Sequence, residues 1–289
     1  MLFDLIKLIR PTQWLKNGII VLALVFAGEL THIGKIEISI IAIIIFCLLS
    51  SAVYTFNDLI DKEQDRQHPL KKSRPIASGR IKTGLALIII ILLSGCGLAG
   101  AWFLNLHFFY AALAFLGLNA LYTLWMKNVV ILDVMAIAIS FVIRACAGAF
   151  AIEVPASTWM LINTLLLAMF LGLGKRRHEL ILLEKGANTH RKTLSVYSAQ
   201  LLDQFIAVIT ASIIVIYMLY SFSTEVMTKL GTTKLFITIP FVVYGVFRYL
   251  YLIYREDLGG SPTHVFVSDK PILITVFLWL ITASLILYT

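Results

Sequence analysis

Charge is scarce in this sequence: only 14% of its 289 residues are Asp, Glu, Lys or Arg, against about a quarter in a soluble domain. With 60% hydrophobic residues beside it, that shortage excludes an ordinary water-soluble fold. Proline is sparse too, at seven residues, and apolar runs such as Ile38 to Leu49 and Leu85 to Leu93 are unbroken. Their polarity does not alternate, which excludes an outer-membrane β-barrel. The three cysteines, Cys47, Cys96 and Cys146, all lie in apolar runs and show no CxxC spacing. Neither a disulfide framework nor a zinc site is expected, and they read as small buried packing residues. The first apolar run lacks a small-residue cleavage pattern, so no removable signal peptide is expected.

What the chain does have is length for spans. At roughly 20 apolar residues per spanning helix, hydropathy places helices near 15–31, 37–57, 83–104, 107–126, 129–150, 157–174, 203–222, 234–254 and 270–288. The expected fold is all-α, a polytopic membrane protein with a nine-helix bundle in one integral-membrane domain over residues 1–289. Active-site loops are expected near 58–82 and 175–202.

Nine spans put the termini on opposite sides, and 20 of the 24 Lys and Arg then fall on or beside segments sharing the side of the N-terminus. The positive-inside rule makes that side cytoplasmic, in a bacterial-type inner membrane, with the C-terminus outside. The net charge of +8 reports topology and phosphate binding, not nucleic acid, because no aqueous domain remains to carry a basic face. A transporter would place polar residues at the midplane of broken helices. Here the polar residues crowd one side, and Arg144 is the main midplane charge.

The two long loops hold more than a topology signal needs. If the second helix continues past its apolar part, Asn57, Asp61 and Asp65 fall at i, i+4 and i+8, and Asp58 is seven residues before Asp65. That spacing collects four oxygen-bearing side chains on one face. Carboxylates converging beside a membrane are costly unless a cation neutralises them, and oxygen-only ligands suit Mg²⁺, which shares its shell with substrate phosphates. Arg66, Lys71, Lys72 and Arg74 follow at once and would supply the other half of a diphosphate clamp. Gly79 permits a tight turn into the third helix.

The string Asn57-Asp58-x-x-Asp61-x-x-x-Asp65, followed by Arg74-Pro75-Ile76-Ala77-Ser78-Gly79, resembles the first aspartate-rich motif of the UbiA superfamily of intramembrane prenyltransferases. The resemblance implies Mg²⁺-dependent binding of a diphosphate substrate. Members that prenylate aromatic rings carry a second aspartate-rich motif between helices six and seven. At that point this chain has Lys175-Arg176-Arg177-His178-Glu179, which argues for an additional anion in the site.

With Arg10-Pro11-Thr12-Gln13-Trp14-Leu15-Lys16-Asn17 at the start, the pattern looks like the polyprenyl-phosphate phosphoribosyltransferase branch. The implied reaction moves 5-phosphoribose from 5-phosphoribosyl 1-diphosphate to a polyprenyl (decaprenyl) phosphate lipid, releasing diphosphate. The alternative is prenyl transfer from a prenyl diphosphate to an aromatic acceptor in quinone or haem synthesis.

On the first reading, Asp58, Asp61 and Asp65 are catalytic through the metal, with Asn57 as a fourth ligand, and Arg66, Lys71 and Arg74 complete the clamp. Lys175, Arg176 and Arg177 take the remaining phosphates, while Glu179 aids the metal or binds a ribose hydroxyl. Lys16 and Asn17 are placed to touch phosphate, and Tyr122 and Lys127 lie beside the same cavity in family members. Asp133, inside the fifth helix, is a candidate for lining the donor pocket, and Arg144 is a weaker one, with helix-to-helix bonding as the other reading. Tyr197 and Asp203 are further polar candidates, whereas His68, His178 and His190 read as loop residues. The sequence leaves homo-oligomer formation open.

Overall fold

The computed structural model describes residues 2–68, 71–184, 192–256, 259–260, 265 and 268–288. Within them the secondary structure is helical throughout. Eight helices are long and apolar enough to cross a membrane, as the uninterrupted apolar runs dictate. The described residues cluster into two compact units, residues 1–157 with 188–193, and residues 158–187 with 194–289.

The first unit opens with a short amphipathic helix, α1 (Leu2–Ile9), and a tightly wound 3₁₀ segment, Pro11–Val21, that passes into α2 (Leu22–Ala27). It continues through α3 (Ile33–Ile60), α4 (Lys62–Gln67), α5 (Thr83–Leu104), α6 (Leu106–Leu124) and α7 (Leu132–Ala151). Half of the α3 span and 56% of the α7 span are buried, against 11% for α5. The inner helices are therefore α3 and α7, while α5 presents residues such as Ile91 and Phe103 outward. Their shared core is aromatic at its centre: Phe46 packs against Phe108 and Phe115 with ring centroids 5.6 and 5.2 Å apart.

The first expected span, 15–31, differs from expectation. It forms as the 3₁₀ segment plus α2 and stops at Gly28, whose φ of +75° ends the helix. Packing explains the tight winding. α7 is lined with Ala145, Ala147, Gly148, Ala149 and Ala151, all buried, so the backbone of Ile20 rests directly on Gly148, where a Cβ would collide with the Ile20 carbonyl. Of the three cysteines only Cys47 is buried; Cys96 is exposed and Cys146 intermediate, so Cys96 faces outward on α5 and is not a core residue.

The second unit comprises α8 (Thr158–Glu184), α9 (Ala199–Phe222), α10 (Thr224–Leu230), α11 (Ile239–Arg255) and α12 (Lys270–Tyr288). Tyr217 on α9 bonds the Thr238 hydroxyl at 2.8 Å and accepts from Trp279 Nε1 at 2.8 Å, tying three segments together through buried polar atoms. The loop expected to begin at 175 is a correction: α8 runs on to Glu184. Lys175, Arg176, Arg177, His178 and Glu179 are therefore helical: no proline lies between Leu173 and Glu184, and the Arg, Lys, Glu and Leu that follow Gly174 are good helix formers. His190 lies outside the described residues.

Two predictions follow from this packing. Gly148→Val should force the Ile20 backbone away and destabilise the first unit by about 1–3 kcal/mol, read as a lower melting midpoint in detergent. Asp269 caps α12 by accepting from Ile272 N at 2.9 Å and pairs with Arg248 at 2.8 Å. The hydrogen bonds from Arg248 hold its carboxyl below the usual range. The contribution is thus intact at neutral pH and lost only as pH falls through that depressed value. Asp269→Ala should cost about 1 kcal/mol at neutral pH, with a smaller difference from wild type in acid melts.

Candidate functional site

The end of α3 carries the acidic cluster. Helix α3 stops at Ile60, and Asp61 (φ −86°, ψ 7°) links it to α4. Helix-type backbone bonds nevertheless run through the joint, from Asp61 N to Asn57 O at 2.9 Å and from Asp65 N to Asp61 O at 2.8 Å. The spacing read from the sequence is thus kept, but the four side chains divide into two rows. Asp58 and Asp65, seven apart and both buried, face one way. Asn57 and Asp61, four apart, face Thr123 and Lys127, which are themselves four apart.

Each carboxylate has a cation from a different segment. Arg74 Nη1 donates to Asp58 Oδ1 at 3.0 Å and to Asp65 Oδ2 at 2.6 Å. Arg10 Nη2 pairs with the same Asp58 oxygen, and Lys127 Nζ pairs with Asp61. Sequence reasoning gave Arg10 no role in the site. Its signal was a lone arginine before Pro11 at the start of the first span, close in space to residues 48 positions later.

Local structure explains how these cations arrive. Arg10 adopts the left-handed conformation (φ 51°) between α1 and the 3₁₀ segment, a costly one for a non-glycine residue. It lies against Ser51, whose hydroxyl accepts from Trp14 Nε1 at 3.0 Å and shares its one hydrogen between Cys47 O at 2.7 Å and Ile9 O at 3.0 Å. Arg74 begins a loop plugged into the protein by Ile76 and Ile81, which pack on Leu8, Ala86 and Leu59. Gly79 (φ +78°) turns that loop, and Ile81 N bonds Pro75 O at 3.0 Å. Lys127 lies in a one-turn 3₁₀ segment, Met126–Asn128, after α6. Nearby, Ile131 takes a φ of +70°, strained for a β-branched residue, where the chain enters α7 and buries Asp133 completely.

Not every sequence candidate joins this cluster. Arg66 bonds Glu63 at 2.9 and 3.0 Å and the Ala77 carbonyl at 3.0 Å, bracing the loop that carries Arg74. Lys71 sits on the exposed 3₁₀ turn Lys71–Ser73. Lys16 lies 5.9 Å from the Tyr54 ring, with Arg10 at 5.3 Å from the same ring. Tyr122 is half-buried, one residue before Thr123. Asn17 is completely buried and accepts from Ser50 Oγ at 3.2 Å and from Arg144 Nε at 2.9 Å.

In the second unit, the run Lys175-Arg176-Arg177 is dispersed by the helix, since successive residues point about 100° apart. Arg176 is 1% exposed and pairs with Glu179, whose other oxygen lies 4.0 Å from Lys175 Nζ. Arg177 points elsewhere, bonding Asp203 at 2.6 Å and lying 4.0 Å over the Tyr254 ring. Tyr254 completes that lock by donating to Asp203 at 2.8 Å. Tyr197 is buried.

The acidic end of α3 suits a Mg²⁺ ion in donor chemistry, because Asn57, Asp58, Asp61 and Asp65 offer only oxygen. Two of these carboxylates already converge on one positive atom, Arg74 Nη1. Among the described residues no group of three or more His, Cys, Asp or Glu side chains is gathered as a ligand set for a metal ion; the carboxylates are engaged by Arg10, Arg74 and Lys127.

Comparison with known proteins converges on one family. The model of the UbiA prenyltransferase family matches residues 18–281. Decaprenyl-phosphate phosphoribosyltransferase of Mycobacterium tuberculosis is 30% identical over 284 residues, covering 96% of this chain and 92% of that protein. The protein of the same name from Mycolicibacterium smegmatis is 30% identical over 98% of this chain and 92% of its own length. Among solved structures, a UbiA homologue from Archaeoglobus fulgidus bound to GPP and Mg²⁺ superposes with a TM-score of 0.75 at 18% identity, covering 99% of this chain and 100% of that one. The chain is an integral membrane protein and belongs to the UbiA prenyltransferase family.

Proposed function

We propose that this enzyme transfers 5-phosphoribose from 5-phosphoribosyl 1-diphosphate to a polyprenyl phosphate, such as decaprenyl phosphate, with release of diphosphate. The single observation that carries the reading is the matched charge at the end of α3. Asp58, Asp61 and Asp65 are balanced by Arg10, Arg74 and Lys127. Because the set is already neutral, a diphosphate can enter only with cations of its own. Near-full-length similarity to decaprenyl-phosphate phosphoribosyltransferases supports this donor and acceptor over a prenyl diphosphate and an aromatic ring.

Mg²⁺ held by Asp58, Asp61 and Asp65, with Asn57 beside them, would neutralise the leaving diphosphate. When the donor binds, Arg10 and Lys127 turn from the carboxylates toward diphosphate oxygens, keeping their charge and giving directed hydrogen bonds, while Arg74 donates from where it stands. Buried Asp58 and Asp65 fix the position of Arg74, so the guanidinium is oriented before substrate arrives. Lys16, Lys71 and Tyr122 contact phosphate, and Asp133 lines the ribose side of the donor. A lipid phosphate is already ionised at neutral pH, so the acceptor oxygen attacks C1 without a general base.

Lys175, Arg176 and Glu179 are assigned to the remaining phosphates or a ribose hydroxyl. Arg177 is assigned to holding α8 in register through Asp203. The N-terminus and the acidic cluster are assigned to the cytoplasmic side of a bacterial inner membrane, since most of the basic residues lie with them.

Asp61→Asn should lower incorporation of radiolabelled phosphoribose into lipid by about a hundredfold or more while leaving the melting midpoint in detergent near that of wild type. EDTA should abolish incorporation and excess Mg²⁺ should restore it. Prenyl transfer onto a ring acid, with none from phosphoribosyl diphosphate, would overturn the reading. Arg10→Gln should lower kcat/KM for the donor by about ten- to a hundredfold, a loss to be read in the same assay.

A further inference from the structure

Arg144 is a guanidinium inside a membrane-spanning helix, 5% exposed, with only neutral partners. Nε donates to Asn17 Oδ1 at 2.9 Å, and Nη1 donates to the Ser140 carbonyl at 3.0 Å and its hydroxyl at 2.9 Å. The faces of Phe115 and Phe141 lie 4.5 and 5.3 Å from its Cζ. No carboxylate among the described residues pairs with it, and Nη2 has no acceptor among them. A permanently charged group in a low-dielectric interior is costly when nothing of opposite sign compensates it. Asp58, Asp61 and Asp65 are taken by Arg10, Arg74 and Lys127, and Asp133, the buried carboxylate on the same helix, lies 11 residues earlier, about 16 Å along the axis.

The surroundings point the missing charge toward the acidic cluster. A helix side chain leans toward its own N-terminus, and the bond from Nη1 back to Ser140 shows that Arg144 does so, which brings the guanidinium nearer the Asp133 end of α7. Its partner Asn17 is bound to Ser50, eight residues before Asp58 on α3 and therefore about 12 Å away along the helix. Between those two levels lies Tyr54, whose ring faces both Arg10 and Lys16. A ladder of polar side chains thus descends from the diphosphate clamp to Arg144, and Ser140, bonded to Asn119 at 3.3 Å, stands on the clamp side of the guanidinium.

We propose that Arg144 is a second anion subsite, taking a phosphate monoester that is separate from the donor's diphosphate. This rests on the transferase reading, in which one phosphate monoester comes from C5 of the donor and another from the lipid acceptor. Asn17 and Ser140 do not neutralise the guanidinium. They aim it, leaving Nη2 for the ligand.

The test is binding by the full-length protein in detergent, titrated with ribose 5-phosphate in one arm and geranyl phosphate in the other. A third titration uses Mg²⁺ with phosphoribosyl diphosphate. Arg144→Gln keeps hydrogen-bonding capacity without charge. Asn17→Asp, of the same shape, gives the guanidinium an internal counter-charge and is expected to fold at least as stably as wild type.

Both variants should weaken one arm by about tenfold or more, and the arm affected identifies the phosphate that occupies the site. Arg144→Lys should restore part of that affinity. If wild type binds either monoester and Asn17→Asp binds it equally well, the subsite is refuted while the transferase reading stands. If wild type binds none of the three compounds, the transferase reading falls, and the subsite falls with it.

Discussion

Three carboxylates within eight residues at the end of a spanning helix have to be neutralised in a place that water reaches poorly, and much of the first unit is arranged around that requirement. Arg10, Arg74 and Lys127 come from three separate stretches of chain. Each stretch is fixed by its own device: a left-handed residue beside a serine clasp, an isoleucine-plugged loop turned on Gly79, and a short 3₁₀ turn after α6. Removing Arg74 would leave the buried Asp58 and Asp65 carboxylates short of a counter-charge, which costs more than the pair itself contributes. The fold around the site and the chemistry of the site are thus one problem in electrostatics.

Close packing in α7 serves the same end. Its small residues admit the backbone of the 3₁₀ segment, which in turn seats Asn17 against Ser50 and Arg144. Had α7 carried leucines at those positions, as a lipid-facing helix would, the first segment would stand off and the polar ladder beneath the clamp would lose a rung. Mean hydropathy does not register this difference, because Ala, Gly and Leu all read as compatible with a span.

That limit marks what the sequence disclosed. Eight spans were legible from unbroken apolar runs, two of them, 83–104 and 270–288, to the residue. The aspartate spacing and Arg74 were legible because periodicity survives the joint at Asp61. The division into two rows was not, since it depends on which neighbouring segments offer a cation. Arg10 was hidden for the same reason: its partner lies 48 residues away, and no local pattern connects them. The basic run on α8 misled in the opposite direction. Adjacent letters suggest one patch, but helical geometry sends Arg176 and Arg177 to different partners.

That last feature bears on how this part of the chain can vary. Arg176 and Arg177 hang from a continuous rod that begins at Thr158, so every residue added or deleted along it turns both side chains by about 100° and shifts them by about 1.5 Å. Substitutions among the outward-facing apolar positions of α8 leave that phase untouched. A single insertion would exchange the buried arginine for its neighbour, so the outward-facing positions from 158 to 176 are free to drift in composition while the length of the stretch is held fixed.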